Sequence, residues 1–296
     1  MVQYFLVRKQ IMLVVIDYII ALILTILSVF IDRIYERPAS FWLIVLIFLG
    51  CLFVCFLLTF ISLFLITLPI KRKDDFGEKH SRFYRFFFEE GLIFINYFLR
   101  IKVHIEGKDK LPSKKERLIF MSNHISKFDP MTCNSVLKGY DISWIGKRTL
   151  FSMPLINRYL YKICFMPIDR EDLKQSLKVI KQAVKYLDED QCSVGIYPEG
   201  TRNNTDDPIL PCKAGSMKIA YLSKKPIVVM SVINTDKVVK NFILKRTHVY
   251  IRICEVIPYE DYKDLDSQAL ALKVENILKE NVIDLKGKYS LEKGDK

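Results

Sequence analysis

The sequence predicts an α/β domain with a largely parallel sheet covered by helices. In front of it the chain carries an N-terminal membrane helical hairpin and an interfacial amphipathic helix. Three observations carry this prediction. Two apolar runs, 11–31 and 41–70, are each long enough to cross a bilayer core. Residues 81–100 set a narrow charged stripe in a wide aromatic surround. From Ile101 onward, short apolar runs alternate with helical patterns, as in a sheet covered by helices. The expected boundaries are a two-helix anchor over 1–75, the interfacial helix over 76–100, the α/β domain over 101–286 and a polar tail over 287–296.

The first run, Ile11 to Ile31, has one charge, Asp17, and the second, Phe41 to Ile70, has none. The link Asp32 to Ser40 is short and polar, so two antiparallel membrane helices are expected; a re-entrant hairpin is the alternative. A cleaved signal peptide is not expected, because no small-residue cleavage site follows the first run and a second apolar run comes at once. The second run exceeds one bilayer thickness, and its end at Pro69 is expected to tilt or lie in the interface. Basic residues are Arg8 and Lys9 before the pair and Arg33 and Arg37 between its members. Lys71, Arg72, Lys73, Lys79, Arg82 and Arg85 follow it. That bias predicts an integral protein of the cell membrane with both ends, and everything beyond residue 70, on the cytoplasmic side. Asp17 is either an intramembrane functional group or, more commonly for such a residue, one that snorkels or pairs with a neighbour.

The chain has a net charge of +12, and only four of its 45 basic and three of its 33 acidic residues lie in the first 70. The remainder therefore carries a net +11, which suits anionic lipid headgroups or a phosphorylated substrate. No zinc-finger spacing, RNA-recognition signature or basic-zipper pattern supports nucleic acid. The seven cysteines are odd in number and scattered, which argues for reduced thiols in a cytosolic setting and against a disulfide framework or a metal site.

In the third element, Arg82, Arg85, Glu89, Asn96 and Arg100 fall on one helical stripe among Phe83, Phe86, Phe87, Phe94 and Phe98. That suits a helix lying in the membrane interface, and the alternative is a helix packed on the domain core. Strands are expected at 101–105, 117–121, 142–146, 163–168, 193–197, 227–233 and 247–256. A strongly amphipathic helix is read from Leu173, Leu177, Ile180, Val184 and Leu187, and further helices at 131–137, 214–223 and 267–283.

The chemistry centres on Ser122-Asn123-His124-Ile125-Ser126-Lys127-Phe128-Asp129-Pro130, just after a strand. A neutral imidazole can take a proton from an alcohol. Asp129, five positions on, can fix its tautomer and stabilise the imidazolium. No Ser, Cys or Thr stands in a nucleophile-elbow context, so the dyad is read as activating a substrate hydroxyl. Spacing alone is not diagnostic, because His104 and Asp109 repeat it in a segment that reads as strand and turn. Arg170, after Phe165-Met166-Pro167-Ile168-Asp169, and Arg202, in Tyr197-Pro198-Glu199-Gly200-Thr201-Arg202, are expected at strand ends near His124. Guanidinium groups there match a phosphate.

These stretches, with Pro226-Ile227-Val228, resemble the four ordered motifs of the glycerolipid acyltransferase family over roughly 100–235. Its nearest members are bacterial 1-acyl-sn-glycerol-3-phosphate acyltransferases. Gly146-Lys147 and Lys213-Ala214-Gly215 match as well. Val229, Asn203 and Cys212 depart from the pattern, where the family often has proline, serine and an aromatic, and these bear on substrate shape. The resemblance makes 101–286 the acyltransferase domain, with His124 as base and Asp129 as its partner. It implies that Arg170, Glu199, Gly200, Thr201, Arg202 and Lys147 hold the acceptor phosphate. It implies transfer of an acyl group from acyl-CoA or acyl-ACP to the 2-hydroxyl of a 1-acylglycerol 3-phosphate at the lipid bilayer, without cofactor, metal or nucleic acid. Other acceptors (glycerol 3-phosphate, another lysophospholipid or a glycolipid), an acyl thioester or lysolipid hydrolase and a non-catalytic lipid-binding protein are the alternative readings.

Overall fold

The computed structural model describes residues 5–6, 12–35, 40–71, 76–77, 79–153 and 156–291. Of the charges used to orient the hairpin, Arg8, Lys9, Arg37, Arg72 and Lys73 lie outside the described residues.

The chain divides into two compact units, Lys9–Ile70 on one hand and Met1–Arg8 with Lys71–Lys296 on the other. The first holds α1 (Met12–Ile34) and α2 (Phe41–Leu65), both long and apolar enough to cross a membrane. Within this unit Ala21, Leu52 and Cys55 form a small packed seam, and Tyr18 meets Phe56 edge-on at 5.9 Å. Asp17 is buried in the unit and accepts the Thr59 hydroxyl at 2.8 Å, so it pairs with a neighbour.

The second unit opens with β1 (Phe5–Leu6), which the sequence had placed in the anchor stretch but which pairs antiparallel with β2 (Ile101–Glu106). Between them in this unit lies α3 (Arg82–Phe98). The middle of the stripe faces the protein interior: Arg85, Glu89 and Asn96 are buried, while Arg82 and Arg100 at its ends, like Phe83 and Phe86, are exposed. Arg85 donates to His80 Nε2, Asn134 Oδ1, the Ile142 carbonyl, Ser143 Oγ and the Ile163 carbonyl. Periodicity showed that these polar residues share a face; the receptors waiting in the domain decide that this face is the inner one. Phe83, Phe86, Tyr97 and Phe98 are left outward, while Phe94 is buried and Tyr84 and Phe88 pack on the domain core; Ser81 caps the first turn.

β3 (Ile119–Ser122), α4 (Asp129–Val136), β4 (Ile142–Lys147), α5 (Ile156–Lys162), β5 (Met166–Ile168), α6 (Leu173–Asp188) and β6 (Ser193–Ile196) follow. Then come α7 (Lys218–Ser223), β7 (Ile227–Ile233), α8 (Lys237–Asn241), β8 (Thr247–Ile257) and α9 (Ser267–Leu291). The fifth strand is shorter than expected, because Ile163 and Cys164 still bond back to the last turn of α5 and Cys164 takes φ +62°. Ala214–Met217 is a 3-10 turn leading into α7. The tail expected from residue 287 is helical to Leu291, since Tyr289 is buried against Tyr250 at 3.5 Å.

The sheet order is β1-β2-β8-β7-β3-β6-β4-β5. Among the described residues only the β1–β2 and β7–β8 pairings are antiparallel. Alternation along the strands fills two layers, as a half-turn per residue requires. Ile119, Met121, Ile227 and Val229 join the layer of α6, α7 and α9, while Phe120, Val228, Met230 and Val232 join the other layer, with α4 and α5. The carboxyl ends of β3, β4, β5, β6 and β7 lie on one edge, and β8 and β2 begin there because β8 runs against β7.

Candidate active site

β3 ends at Ser122, and the chain turns so that His124 sits at that edge with 14% of its side chain exposed. Asn123 fixes the turn by exchanging two hydrogen bonds with the backbone of Val232, at 2.9 and 2.8 Å. Asp129 is fully buried in the first turn of α4. Its Oδ2 accepts His124 Nδ1 at 2.7 Å and the amides of Ile125 and Ser126 at 2.8 and 2.9 Å, and its Oδ1 accepts the Thr235 hydroxyl. A carboxylate held this way cannot follow the imidazole if it swings. Because Nδ1 donates to Asp129, the neutral ring carries its acceptor lone pair on Nε2, which bonds to no described residue. That is the protonation pattern a general base needs.

The ring is also fixed on its face. It stacks on Tyr197 with centroids 4.0 Å apart, and Tyr197 stacks on Trp144 at 4.6 Å. Gly195 makes room for this pile, since a Cβ there would lie 2.5 Å from the Trp144 ring. Burial, with the nearby Cys133 and Asp129, pushes the Tyr197 phenol well above its ordinary pKa, so it stays neutral against the imidazole.

The backbone of His124 is clasped from both sides by the loop after β6. Its amide donates to Glu199 Oε1 at 2.6 Å, and its carbonyl accepts the amide of Asn203 at 2.6 Å. Glu199 Oε2 accepts the amide of Leu210 at 2.8 Å. Burial raises the Glu199 carboxyl to about 7, against the lowering effect of those two amides. Glu199 thus turns inward to shape the site. Gly200 takes φ +73° with the Lys213 side chain lying where a Cβ would point, and this lets the chain reverse.

Thr201 and Arg202 are exposed beyond this turn. Arg170, just past β5, is close enough to Arg202 that burial and that neighbour's charge lower its pKa. Lys147 is exposed at the end of β4, opposite Ile168 in the register. Arg170, Arg202 and Lys147 form no ion pair with a described residue, so the edge that carries the dyad also presents uncompensated cations, at or beyond the ends of β6, β4 and β5. The decoy His104 instead bonds to His248 at 3.0 Å and stacks on Tyr250. Among the described residues no three His, Cys, Asp or Glu are grouped to hold a metal ion. On the β7 side of His124 a cleft of about 650 Å³ opens between Ile125, Asn203, Ile233 and Lys286. Thr235, in the turn after β7, and Trp144, on β4, reach the site from distant parts of the sequence and carry no local signature. Asn123 and Asn203 stood within or beside the motifs, but their backbone partners could be found only in three dimensions.

A family model described as Acyltransferase matches residues 102–233. A Bacillus subtilis protein named 1-acyl-sn-glycerol-3-phosphate acyltransferase is 34% identical over 130 residues, 44% of this chain and 62% of that protein. A Borreliella burgdorferi protein of the same name is 30% identical over 165 residues, 53% of this chain and 62% of its own length. The matched stretch therefore spans less than two thirds of either relative. The fold is that of the crystal structure of the 1-acyl-sn-glycerophosphate (LPA) acyltransferase PlsC from Thermotoga maritima. The two superpose with a TM-score of 0.54 and 21% identity, over 70% of this chain and 84% of that one.

Proposed function

From the premise that residues 102–233 form a domain of the acyltransferase family, we propose that this chain transfers a fatty acyl group to the 2-hydroxyl of 1-acylglycerol 3-phosphate, yielding phosphatidate. The observation that carries this reading is the locked dyad: Nδ1 of His124 committed to Asp129 at 2.7 Å, and Nε2 left to accept a proton.

In this reading His124 Nε2 takes the hydroxyl proton as the acceptor oxygen attacks the thioester carbonyl. The tetrahedral intermediate collapses, the C–S bond breaks, and the imidazolium returns the proton to the departing thiolate. Asp129 holds the ring for both transfers. Arg170, Arg202 and Lys147 bind the acceptor phosphate, which places the hydroxyl and removes much of the entropic barrier. The amides of His124, Ile125, Ser126 and Asn203 are committed to Glu199, Asp129 and the His124 carbonyl. Of the third motif, the Gly200 amide bonds to the Tyr197 carbonyl, and the amides of Glu199, Thr201 and Arg202 are the candidates to meet the oxyanion. The cleft on the β7 side receives the thioester, acyl-CoA or acyl-ACP, and no step calls on a metal. The apolar helices hold the protein in the cell membrane, with the catalytic unit on the cytoplasmic side.

The test is incubation of the full chain in nanodiscs with a labelled acyl thioester and a panel of acceptors. Labelled phosphatidate supports the reading. Transfer only to glycerol 3-phosphate, another lysophospholipid or a glycolipid replaces the acceptor. Release of free acid without any acceptor makes the protein a hydrolase.

A further inference from the structure

The connection from β7 to β8, residues 234–246, does two things at once. Near its start Thr235 donates to the buried Asp129. Its far end forms an apolar tip: Val239, Phe242, Ile243 and Leu244 are 60, 54, 50 and 81% exposed. Isolated exposed apolar side chains are ordinary, but three in succession at a tip are not. Lys240, Lys245 and Arg246 surround them, and Asp236 is the segment's only acid.

Much of the backbone of the tip is paired. The amide of Phe242 bonds to the Val238 carbonyl, and those of Leu244 and Lys245 to the Asn241 carbonyl. The carbonyls of Ile243 and Leu244 accept from Arg100, two residues past α3. A loop with paired backbone groups can enter the interfacial region without stranding them. The tip also lies on the catalytic edge of the sheet, since β8 begins where β7 and β3 end.

We infer that residues 239–246 are a membrane-docking tip that inserts into an anionic lipid surface. Its apolar side chains enter the headgroup boundary, its basic flanks meet lipid phosphates, and Arg100 ties it to the end of α3. Docking there turns the edge bearing His124 toward the bilayer, and the same connection that senses the surface holds Asp129. This goes beyond the acyl-transfer reading and does not depend on it, because lipid contact can be read without turnover.

The experiment uses the full chain, with Trp42→Phe leaving buried Trp144 as a constant background. Leu244→Trp is compared with Leu222→Trp, which is 59% exposed at the end of α7, in proteoliposomes of phosphatidylglycerol with brominated acyl chains. Bromine is expected to quench Leu244→Trp and not Leu222→Trp. Adding Lys245→Glu and Arg246→Glu is expected to weaken that quenching several-fold. Equal quenching at 244 and 222, or at 244 a response only to an added acidic acyl carrier protein, would overturn the inference.

Discussion

The amide of His124 donates to Glu199 across 75 residues of sequence, at 2.6 Å, so the carboxylate of the third motif shapes the backbone that carries the base. Both Glu199 oxygens accept amides. Glu199→Gln must turn its NH2 toward one of those donors, and transfer at neutral pH should fall about tenfold or more, the scale of a buried bond lost. The same residue predicts a pH dependence. Its folded pKa of about 7 lies above the ordinary 4.5, so the native state holds a proton that the unfolded chain has released. The stability this contributes is present below pH 4.5 and is lost as pH rises through about 7, by about 3 kcal/mol in all. Denaturation of wild type and Glu199→Gln should therefore differ most at low pH and converge by that amount toward pH 8. A pH-independent difference contradicts the assignment.

Gly195→Ala tests the stack beneath the imidazole. The new methyl meets the Trp144 ring, which can yield only by pressing Tyr197 against His124. Overpacking of this kind costs about 1–3 kcal/mol. The expected result is a loss in kcat with little change in KM for the acceptor. A stable variant with unchanged kcat would show that the pile does not position the ring.

Thr235→Val removes the donor to Asp129 Oδ1 while keeping the shape of the side chain. A buried acceptor is left unmet, and a stability loss of about 1–3 kcal/mol is expected together with a slower rate. Thr235→Ser should restore both. Failure of Ser to rescue would point to packing instead of the hydroxyl.

Arg170 and Arg202 stand near one another with burial and mutual charge lowering the pKa of Arg170, an arrangement that an anion relieves. Phosphate should raise the Tm of the wild type and have little effect on Arg202→Ala. That variant should raise the acceptor KM roughly 10–100-fold, the worth of one or more charge-assisted bonds. An unchanged KM would move the phosphate site elsewhere.

Much of this was legible in the chain. The apolar runs, the alternation of strands and helices and the His124–Asp129 spacing are local signals, and each corresponds to an element or bond in the structure. What escaped was which side of a pattern faces inward and which distant residue completes a site. Arg85 has the look of a surface charge on an aromatic helix, but its five bonds lie in α4, β4, the chain before β5 and His80. The resemblance places Glu199 in the phosphate site, and no local signal shows that its carboxylate accepts the distant amides of His124 and Leu210. Thr235 reaches Asp129 over 106 residues, a separation at which no motif spacing operates.

The most direct test of the central claim is the initial rate of phosphatidate formation by the full chain in nanodiscs, measured for wild type, His124→Ala, Asp129→Asn and His104→Ala. The account predicts losses of roughly 10²–10⁴-fold for His124→Ala and Asp129→Asn, the scale of a general base and its orienting group. It predicts near wild-type rate for His104→Ala, whose ring is engaged with His248 and Tyr250. Phosphatidate formed at wild-type rate by His124→Ala, or equal losses in all three variants, would contradict it.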